Sequence, residues 1–435
     1  MTGDFQSLPF DPVDAQAALR QLPASAAVFA LYGAEAHAEP YIGRTPNLRG
    51  RLARLLQPSA EHPRRLQLAG RVRRIEWRLT GSDFESLLAQ FSLLEKIYGA
   101  KALERMHLRA PAFIRYLGSN AYPRIVVTQR PSQREAEWAY GPFASRAAAE
   151  RFADEALKLF LLRRCTDDLD PNPSHPGCVY SEMKMCLAPC YQGCTDERYA
   201  EEAAAVESFL ATRGESRLVT LRTERDQASA NLEFESAAAL HAQAQRVESV
   251  RSLASELVRP LSQLRGVILQ ASASLDEVAV FVFDNGLLRG PVAFSTLGMR
   301  IQNEQSGSSS LFAQPMAIEP VLEVPQPVGA EGQAAEVVAA PALAPSKLAR
   351  SILESRMEAV LTQLTADRYA PSSTERQGHL ALLKRWYHRP EARRTGEIFF
   401  PDAEGQWPVK ALLRGVGRVA AKSLQAATPV EQKKA

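Results

Sequence analysis

The spacing of apolar residues changes period repeatedly along this chain, and that alternation admits only a fold mixing sheets with helices. In residues 26–42, AAVFALY and EPYIG are strand-like runs separated by GAEAHA, the pattern of a hairpin. From Asn47 the period lengthens, and Leu48, Leu52, Leu55 and Leu56 keep helical spacing. RIEWRLT (73–79) returns to period two, with Ile75, Trp77 and Leu79 inward and charges outward. Ser82 or Asp83 then caps a helix on which Phe84, Leu87, Leu88, Phe91, Leu94 and Tyr98 form one stripe. Two strands, a helix, a strand and a helix make a small α/β domain ending near residue 105.

Farther along, FIRYL and PRIVVT read as strands, YGPF (140–143) as a turn, and the residues through Phe160 as a helix. Residues 196–257 are almost wholly helix-forming and break near ASANLEF, which predicts a helical hairpin. DEVAVFVFDNGLLRGPVAF (276–294) predicts two strands joined at Asn285-Gly286. Residues 303–346 are rich in Ser, Gln, Pro, Ala and Val without periodicity and read as a flexible linker. The fold class is therefore α+β. Its expected parts are 18–105, a linking α/β region at 106–164, a cysteine-rich segment at 165–194, the hairpin at 196–257, a small β region at 264–300, the linker, and a helical region at 347–435 ending in EQKKA.

At 435 residues and 46% hydrophobic content, two or three packed domains are affordable. The chain has no basic start followed by an apolar core, and no run approaches the roughly 20 apolar residues of a membrane span. A cytoplasmic protein with no membrane partner is the expectation. Net charge is only +3, so any case for nucleic acid rests on local clustering. Residues 44–78 supply it, with ten arginines against Glu61 and Glu76. A solvated surface is the ordinary meaning of a charge run. Here every cation is arginine, whose planar fork suits phosphate, so contact with a DNA or RNA backbone is the better reading.

Five cysteines are too few for a disulfide scaffold, yet four fall between Cys178 and Cys194. That density points to a metal cluster or redox role in a reducing compartment.

The stretch YIGRTPNLRGRL (41–52), a strand ending in Tyr-Ile-Gly followed by a helix bearing an inward arginine, resembles the GIY-YIG nuclease domain. YGPF (140–143), CLAPC (186–190) and ASANLEFESAA (228–238) follow in the order found in the UvrC family, the incision subunits of bacterial nucleotide excision repair. The likeness covers roughly residues 18–295.

The resemblance implies a tyrosine that helps activate water, an arginine that stabilises the pentavalent phosphate, and a glutamate that holds Mg²⁺ or Mn²⁺. A phenol of pKa near 10 needs help to act as a base, an arginine is always charged, and a hard cation wants carboxylate oxygen. On this pattern Tyr41 and Arg51 are the catalytic pair, with Tyr32 beside them, and Gly43 is the YIG glycine. Arg44, Asn47, Arg49, Arg54, Arg64 and Arg65 are the candidate DNA contacts. Two positions depart from the pattern. Phe29 stands where the GIY tyrosine belongs, and ESLLAQ (85–90) places Gln90 at the metal-binding glutamate. Leu55 also replaces a family tyrosine. An amide oxygen is a neutral, weaker Mg²⁺ ligand than a carboxylate, and Glu85 and Glu95 lie five residues to either side, about 500° of helix turn away.

Cys165, Cys178, Cys186 and Cys190 match the UvrC cysteines, which the resemblance associates with a [4Fe-4S] cluster. Four thiolates hold Zn²⁺ equally well, Cys194 extends the series to CxxxCxxxC, and His175 reads as a loop residue. Asn231, Leu232, Phe234 and Glu235 match the core of the UVR motif, through which UvrC docks on UvrB, although Ala239, His241 and Ala242 replace its usual second-helix residues. The alternative is that Leu232 and Phe234 close their own hairpin.

UvrC continues into a ribonuclease H-type nuclease and DNA-binding hairpins, for which the 140 residues after 295 leave no room. Asp284 reads as a turn residue, and Trp386 and Tyr387, amid Lys384, Arg385 and Arg389, as the cap of a core, with stacking on exposed bases as the alternative. The architecture resembles the short UvrC homologues, Cho among them. The expectation is an excision-repair protein that binds damaged DNA and UvrB through a degenerate nuclease domain. Its alternatives are an active single-incision endonuclease and a non-catalytic adaptor.

Overall fold

The computed structural model describes residues 5–35, 38–57, 68, 70–129, 138–166, 169–299, 345–366, 369, 371–402 and 404–427. It is an α+β protein with three four-stranded antiparallel sheets.

The first sheet has the order β1-β4-β2-β3, from β1 (Gln6–Pro9), β2 (Ala27–Gly33), β3 (Tyr41–Thr45) and β4 (Val72–Leu79). Strand alternation sorts its two faces. Phe29, Leu31, Ile75 and Trp77 pack against α1 (Ala15–Gln21) and α2 (Leu48–Leu56). Val28 and Ala30 pack on the opposite face against Ala89 and Leu93 of α3 (Asp83–Tyr98). Asn47 caps α2 by accepting from the Gly50 N–H at 2.8 Å, and Ser82 caps α3 by accepting from the Glu85 N–H. The short α4 (Lys101–Arg105) follows. Neither β1 nor α1 is legible beforehand: QSLP is four residues ending in proline, and α1 has only seven.

The second sheet joins β5 (Ala112–Tyr116), β6 (Ile125–Thr128), β7 (Ala139–Phe143) and β8 (Arg259–Pro260) in the order β6-β5-β7-β8. YGPF is therefore not a turn but most of β7, a strand buried along its whole length. Gly141 has no side chain because a Cβ there would lie 2.6 Å from the Phe113 ring, and the register slips between Ala112 and Ile114 to accommodate the pair. The helix before Phe160 is α5 (Arg146–Leu157), and the cysteine segment holds α6 (Val179–Glu182).

Residues 196–257 form three helices rather than two: α7 (Asp196–Ala211), α8 (Glu215–Ala230) and α9 (Phe234–Ser252). The first break falls at Gly214, which has φ +84°, so the hairpin proper is α8–α9. Its base is buried through Leu218, Leu221, Val247 and Val250 in the core of the second sheet.

The third sheet has the order β11-β10-β9-β12, from β9 (Gly266–Ala271), β10 (Glu277–Asp284), β11 (Leu287–Ser295) and β12 (Glu397–Phe399). Asn285 and Gly286 both have positive φ, 54° and 85°, as the tight β10–β11 turn requires. Asp284 ends β10 and pairs with Arg265 at 3.2 Å and Arg289 at 3.7 Å. Helices α10 (Pro345–Ala366), α11 (Ser373–Tyr387) and α12 (Val409–Ala427) complete this part. Because β12 pairs with β9, the β region at 264–300 and the residues after 347 are one packed body, not two regions. The linker at 303–346 lies outside the described residues up to 344, and its last two residues belong to α10. The EQKKA tail also lies outside them.

One core spans the first and third sheets. Phe84, Leu87, Leu88, Phe91 and Leu94 of α3 are buried with Phe281, Phe283, Leu380, Leu383 and Trp386. Trp386 is buried, and its indole N–H donates to the Thr395 carbonyl at 2.8 Å, so it fills a core rather than offering a face for stacking.

Candidate functional site

Tyr41 begins the edge strand β3, and its cross-strand partner is Leu31, which places its ring on the α2 face of the first sheet. Arg51 sits one turn into α2 on that side. Its Nη2 donates to the Tyr41 hydroxyl at 3.3 Å, and both residues are half-buried. With its oxygen accepting from Arg51, Tyr41 is left with its own O–H to donate. A guanidinium and a phenol O–H side by side suit phosphate oxygens, which are acceptors.

Phe29 shares this face, buried at 6.1 Å from Tyr41 between ring centroids. It stands opposite Gly43, where a Cβ would come within 2.9 Å of the Phe29 ring. Glycine at 43 is thus what lets this ring reach the sheet edge beside Tyr41.

The remaining candidates lie elsewhere. Tyr32 is on the α3 face, with the Arg74 guanidinium 4.3 Å from its ring centroid. Burial, and after it the Glu76 carboxylate, pushes its phenol up to about 12. Arg44 also faces α3 and pairs with Asp83. Gln90 lies on α3, half-buried, on the side of Ser86, Leu93 and Ile97. The sheet therefore separates Tyr41, Gly43, Phe29 and Arg51 from Tyr32, Arg44 and Gln90.

No carboxylate of α3 stands free to replace the missing glutamate, since all three have partners. Asp83 is shared by Arg44 and Arg389, the latter at 2.7 Å. Burial works to raise its pKa, but the two guanidiniums more than offset that and hold it below the usual carboxylate range. Glu85 is buried, accepts from the Gly81 N–H at 2.8 Å and pairs with Arg78 at 3.4 Å; burial pushes its pKa up against both. Glu95 accepts from the Ser372 hydroxyl at 3.1 Å.

Several candidate DNA contacts are likewise engaged within the protein. Asn47 spends its side-chain oxygen on the α2 cap. Arg49 Nε donates to the Leu22 carbonyl at 2.7 Å and Arg54 Nε to the Gly50 carbonyl at 3.1 Å, which fixes both stems on the surface. Arg64 and Arg65 lie outside the described residues.

Cys165, Cys178, Cys186 and Cys190 line one small pocket of about 10 Å³. The Ala188 N–H donates to the Cys186 sulfur at 3.2 Å, and Arg163 Nη1 to the Cys165 sulfur at 3.6 Å. Two left-handed residues, Ala188 and Gln192, bracket Cys190 and give the loop its tight winding. Burial raises the Cys186 thiol to about 11. Among the described residues no three His, Cys, Asp or Glu side chains meet the spacing of a closed metal site. Four soft donors around one void fit a soft metal or an iron-sulfur cluster. His175 is a loop residue whose Nδ1 accepts from the Gly177 N–H at 3.0 Å.

At the tip of the α8–α9 hairpin, Leu232 is 72% exposed and Phe234 67%. Leu232 has φ +64°, in the left-handed region, and Glu235 lies in the first turn of α9. Asn231 caps α8 through its backbone N–H. The two apolar side chains do not close their own hairpin.

Residues 113–209, which hold β5 through α7 and all five cysteines, match the family model of the UvrC/Cho excinuclease middle domain. UvrABC system protein C of Ruminiclostridium cellulolyticum is 28% identical over 305 residues, 68% of this chain and 48% of that protein. The chain is UvrC-like. The same protein of Alcanivorax borkumensis is 29% identical over 211 residues, 48% of this chain and 34% of its own length. That of Pseudomonas protegens is 26% identical over 314 residues, 72% and 48%. The UvrC-like chain thus spans between a third and half of these relatives' length. No solved structure matches it, and among its described residues no helix is long and apolar enough to cross a membrane.

Two features of the UvrC-like chain were invisible in its sequence. The Arg44–Asp83–Arg389 link joins residues more than 300 positions apart. A cavity of about 240 Å³ lies away from Tyr41 and Arg51, lined by Arg78, Glu85, Ser92, Arg289, Glu375 and His379 among others.

Proposed function

We propose that this chain is a DNA-binding excision-repair protein of UvrC type whose nuclease face holds phosphate but cuts weakly or not at all. The observation that carries this reading is the meeting of Arg51 with Tyr41 while every carboxylate of α3 is held by another partner. Arg51 contributes permanent positive charge and Tyr41 a hydroxyl donor. Among the described residues no carboxylate pairs with either of them, so in this reading the phosphate is gripped without the oxygen ligand a hard cation needs to stabilise a leaving oxygen. Cleavage of a lesion-bearing duplex in Mg²⁺ or Mn²⁺, lost on Arg51→Ala, would instead make the chain a single-incision enzyme of the Cho kind.

In this reading the α8–α9 tip docks a UvrB-type helical hairpin, with Phe234 as the apolar anchor. Its exposure supports that role, since a ring two-thirds open to water gains little from its own fold. Phe234→Ala is expected to weaken pull-down of a UvrB-type partner about 30-fold, roughly 2 kcal/mol, with the melting temperature unchanged. Unchanged capture would remove the hairpin from the interface. Intact DNA binding without any UvrB capture would favour the adaptor alternative.

Cys165, Cys178, Cys186 and Cys190 would hold a [4Fe-4S] cluster or zinc, which when bound ties the loop between α5 and α7 into one unit. Five free thiols suit a reducing cytoplasm. Anaerobically purified protein is expected to carry metal, iron with visible absorption or colourless zinc, and Cys186→Ala to lose it. Parent protein free of both metals would sink this assignment.

A further inference from the structure

Helix α12 carries a cation at every fourth position, Lys410, Arg414, Arg418 and Lys422, all exposed, and it carries no acidic residue. Its other side is buried: Leu412, Val416, Val419 and Ala420 pack with Leu269, Val280 and Met357. Arg418 pairs with Glu397 at 2.6 and 2.8 Å. Lys410, Arg414 and Lys422 make no ion pair among the described residues.

The bland meaning of such a row is a solvated helix face. An ordinary solvated face intersperses signs, so that neighbours four apart attract; here each successive pair repels. Lys410 moreover sits in the first turn, where the helix dipole disfavours a cation. Both features work against the helix on its own account, and a polyanion lying along it would turn both to advantage.

We propose that α12 is a binding edge for the backbone of duplex DNA. The row is about 18 Å long at roughly 1.5 Å per residue. One strand of a duplex passes about five phosphates over that length, at roughly 3.4 Å per nucleotide. No aromatic residue lies between Val409 and Ala427, so there is no platform for unstacked bases, which favours duplex over single strand. The apolar side is occupied by the protein's own core, which leaves nothing to insert into a lipid surface. By contrast, the arginine run that dominates the sequence is partly neutralised, Arg44 by Asp83, Arg74 by Glu76 and Arg78 by Glu85. The densest basic run in the sequence and this basic row on α12 are different places.

This inference deepens the DNA-binding reading and rests on it. The test measures binding of the full chain to a fluorescent duplex across a salt series. The parent is compared with K410Q/R414Q/K422Q and with K96Q/K101Q/R246Q, which removes equal charge from other exposed positions. At about 0.9 per phosphate contact, the first triple is expected to flatten the slope of log affinity against log salt by about 2.7. It should also weaken binding at least about tenfold at moderate salt. The second triple should leave the slope within about 1 of the parent. Circular dichroism of each variant confirms that the fold is kept. A parent that binds duplex while the α12 triple keeps its slope, or two triples that flatten it equally, would overturn the α12 assignment alone. A parent that binds no duplex would overturn this inference and the reading beneath it, and selective loss of an acidic protein partner would reassign the row to that partner.

Discussion

Replacing Gln90 by glutamate and Phe29 by tyrosine together is expected to raise Mg²⁺-dependent strand nicking about 10²-fold or more above the parent chain. Position 90 lies half-buried on the sheet side of α3, close enough to solvent for a carboxylate to stay ionised and hold a hydrated cation. Gly43 leaves open the space next to the Phe29 ring, which a tyrosine hydroxyl at 29 needs. That hydroxyl would enter a buried position, so a small loss of stability is the expected companion, about 1–3 kcal/mol if it finds no partner. The gain must vanish when Arg51→Ala is added, because nicking that survives without the guanidinium would come from elsewhere. A double variant no more active than the parent, yet folded and able to bind duplex, would mean that the separation of Tyr41 and Gln90 by the sheet is itself disabling, not the residues substituted.

Phe84→Ala is expected to cost about 3–5 kcal/mol in urea denaturation. Phe84 is buried at the point where the first sheet's helix α3 meets the third sheet, with its ring edge-on to Phe281 at 5.3 Å and tilted against Trp386 at 5.2 Å between centroids. The hole cannot close easily, because α3 is held from both sides, by Ala89 and Leu93 against one sheet and by Phe91 against α11. Gly378 marks how tight that second contact is, since a Cβ there would lie 1.9 Å from the Phe91 ring. A cost near 1 kcal/mol would show that the two sheets do not share a core.

Much of the first sheet and its helices was legible because β4, α2 and α3 each obey one period. Ile75 and Trp77 alternate, and Leu48, Leu52, Leu55 and Leu56 recur by turns, so which side is buried follows from geometry alone. The Asn285-Gly286 hairpin was legible for a local reason too, two residues that tolerate positive φ. YGPF misled because glycine and proline ordinarily punctuate; here glycine answers the Phe113 ring on the neighbouring strand, a contact of long range. The union of β12 with β9 was unreadable on the same ground, since EIF is three residues long and its partner lies some 130 positions earlier.

The candidate site divides in the same way. Tyr41 and Arg51 are ten residues apart on a strand and the helix after it, so their meeting follows from one hairpin and one turn. The position of Gln90 depends on which face α3 takes, and the pairing of Arg44 and Arg78 depends on acids that the fold brings from α3. Charge counted along a sequence takes no account of pairing in space. Of the run at 44–78, Arg44, Arg74 and Arg78 are paired with acids, whereas the four cations of α12 line up only once the helix is formed.

The most direct test of the central claim is nicking of a lesion-bearing duplex in Mg²⁺ and in Mn²⁺ by the parent chain and by Arg51→Ala, with duplex binding measured on the same samples. A gripped but uncut phosphodiester predicts that Arg51→Ala weakens binding while the two nicking rates stay within about tenfold of each other. Rapid nicking by the parent that disappears with Arg51 would contradict it.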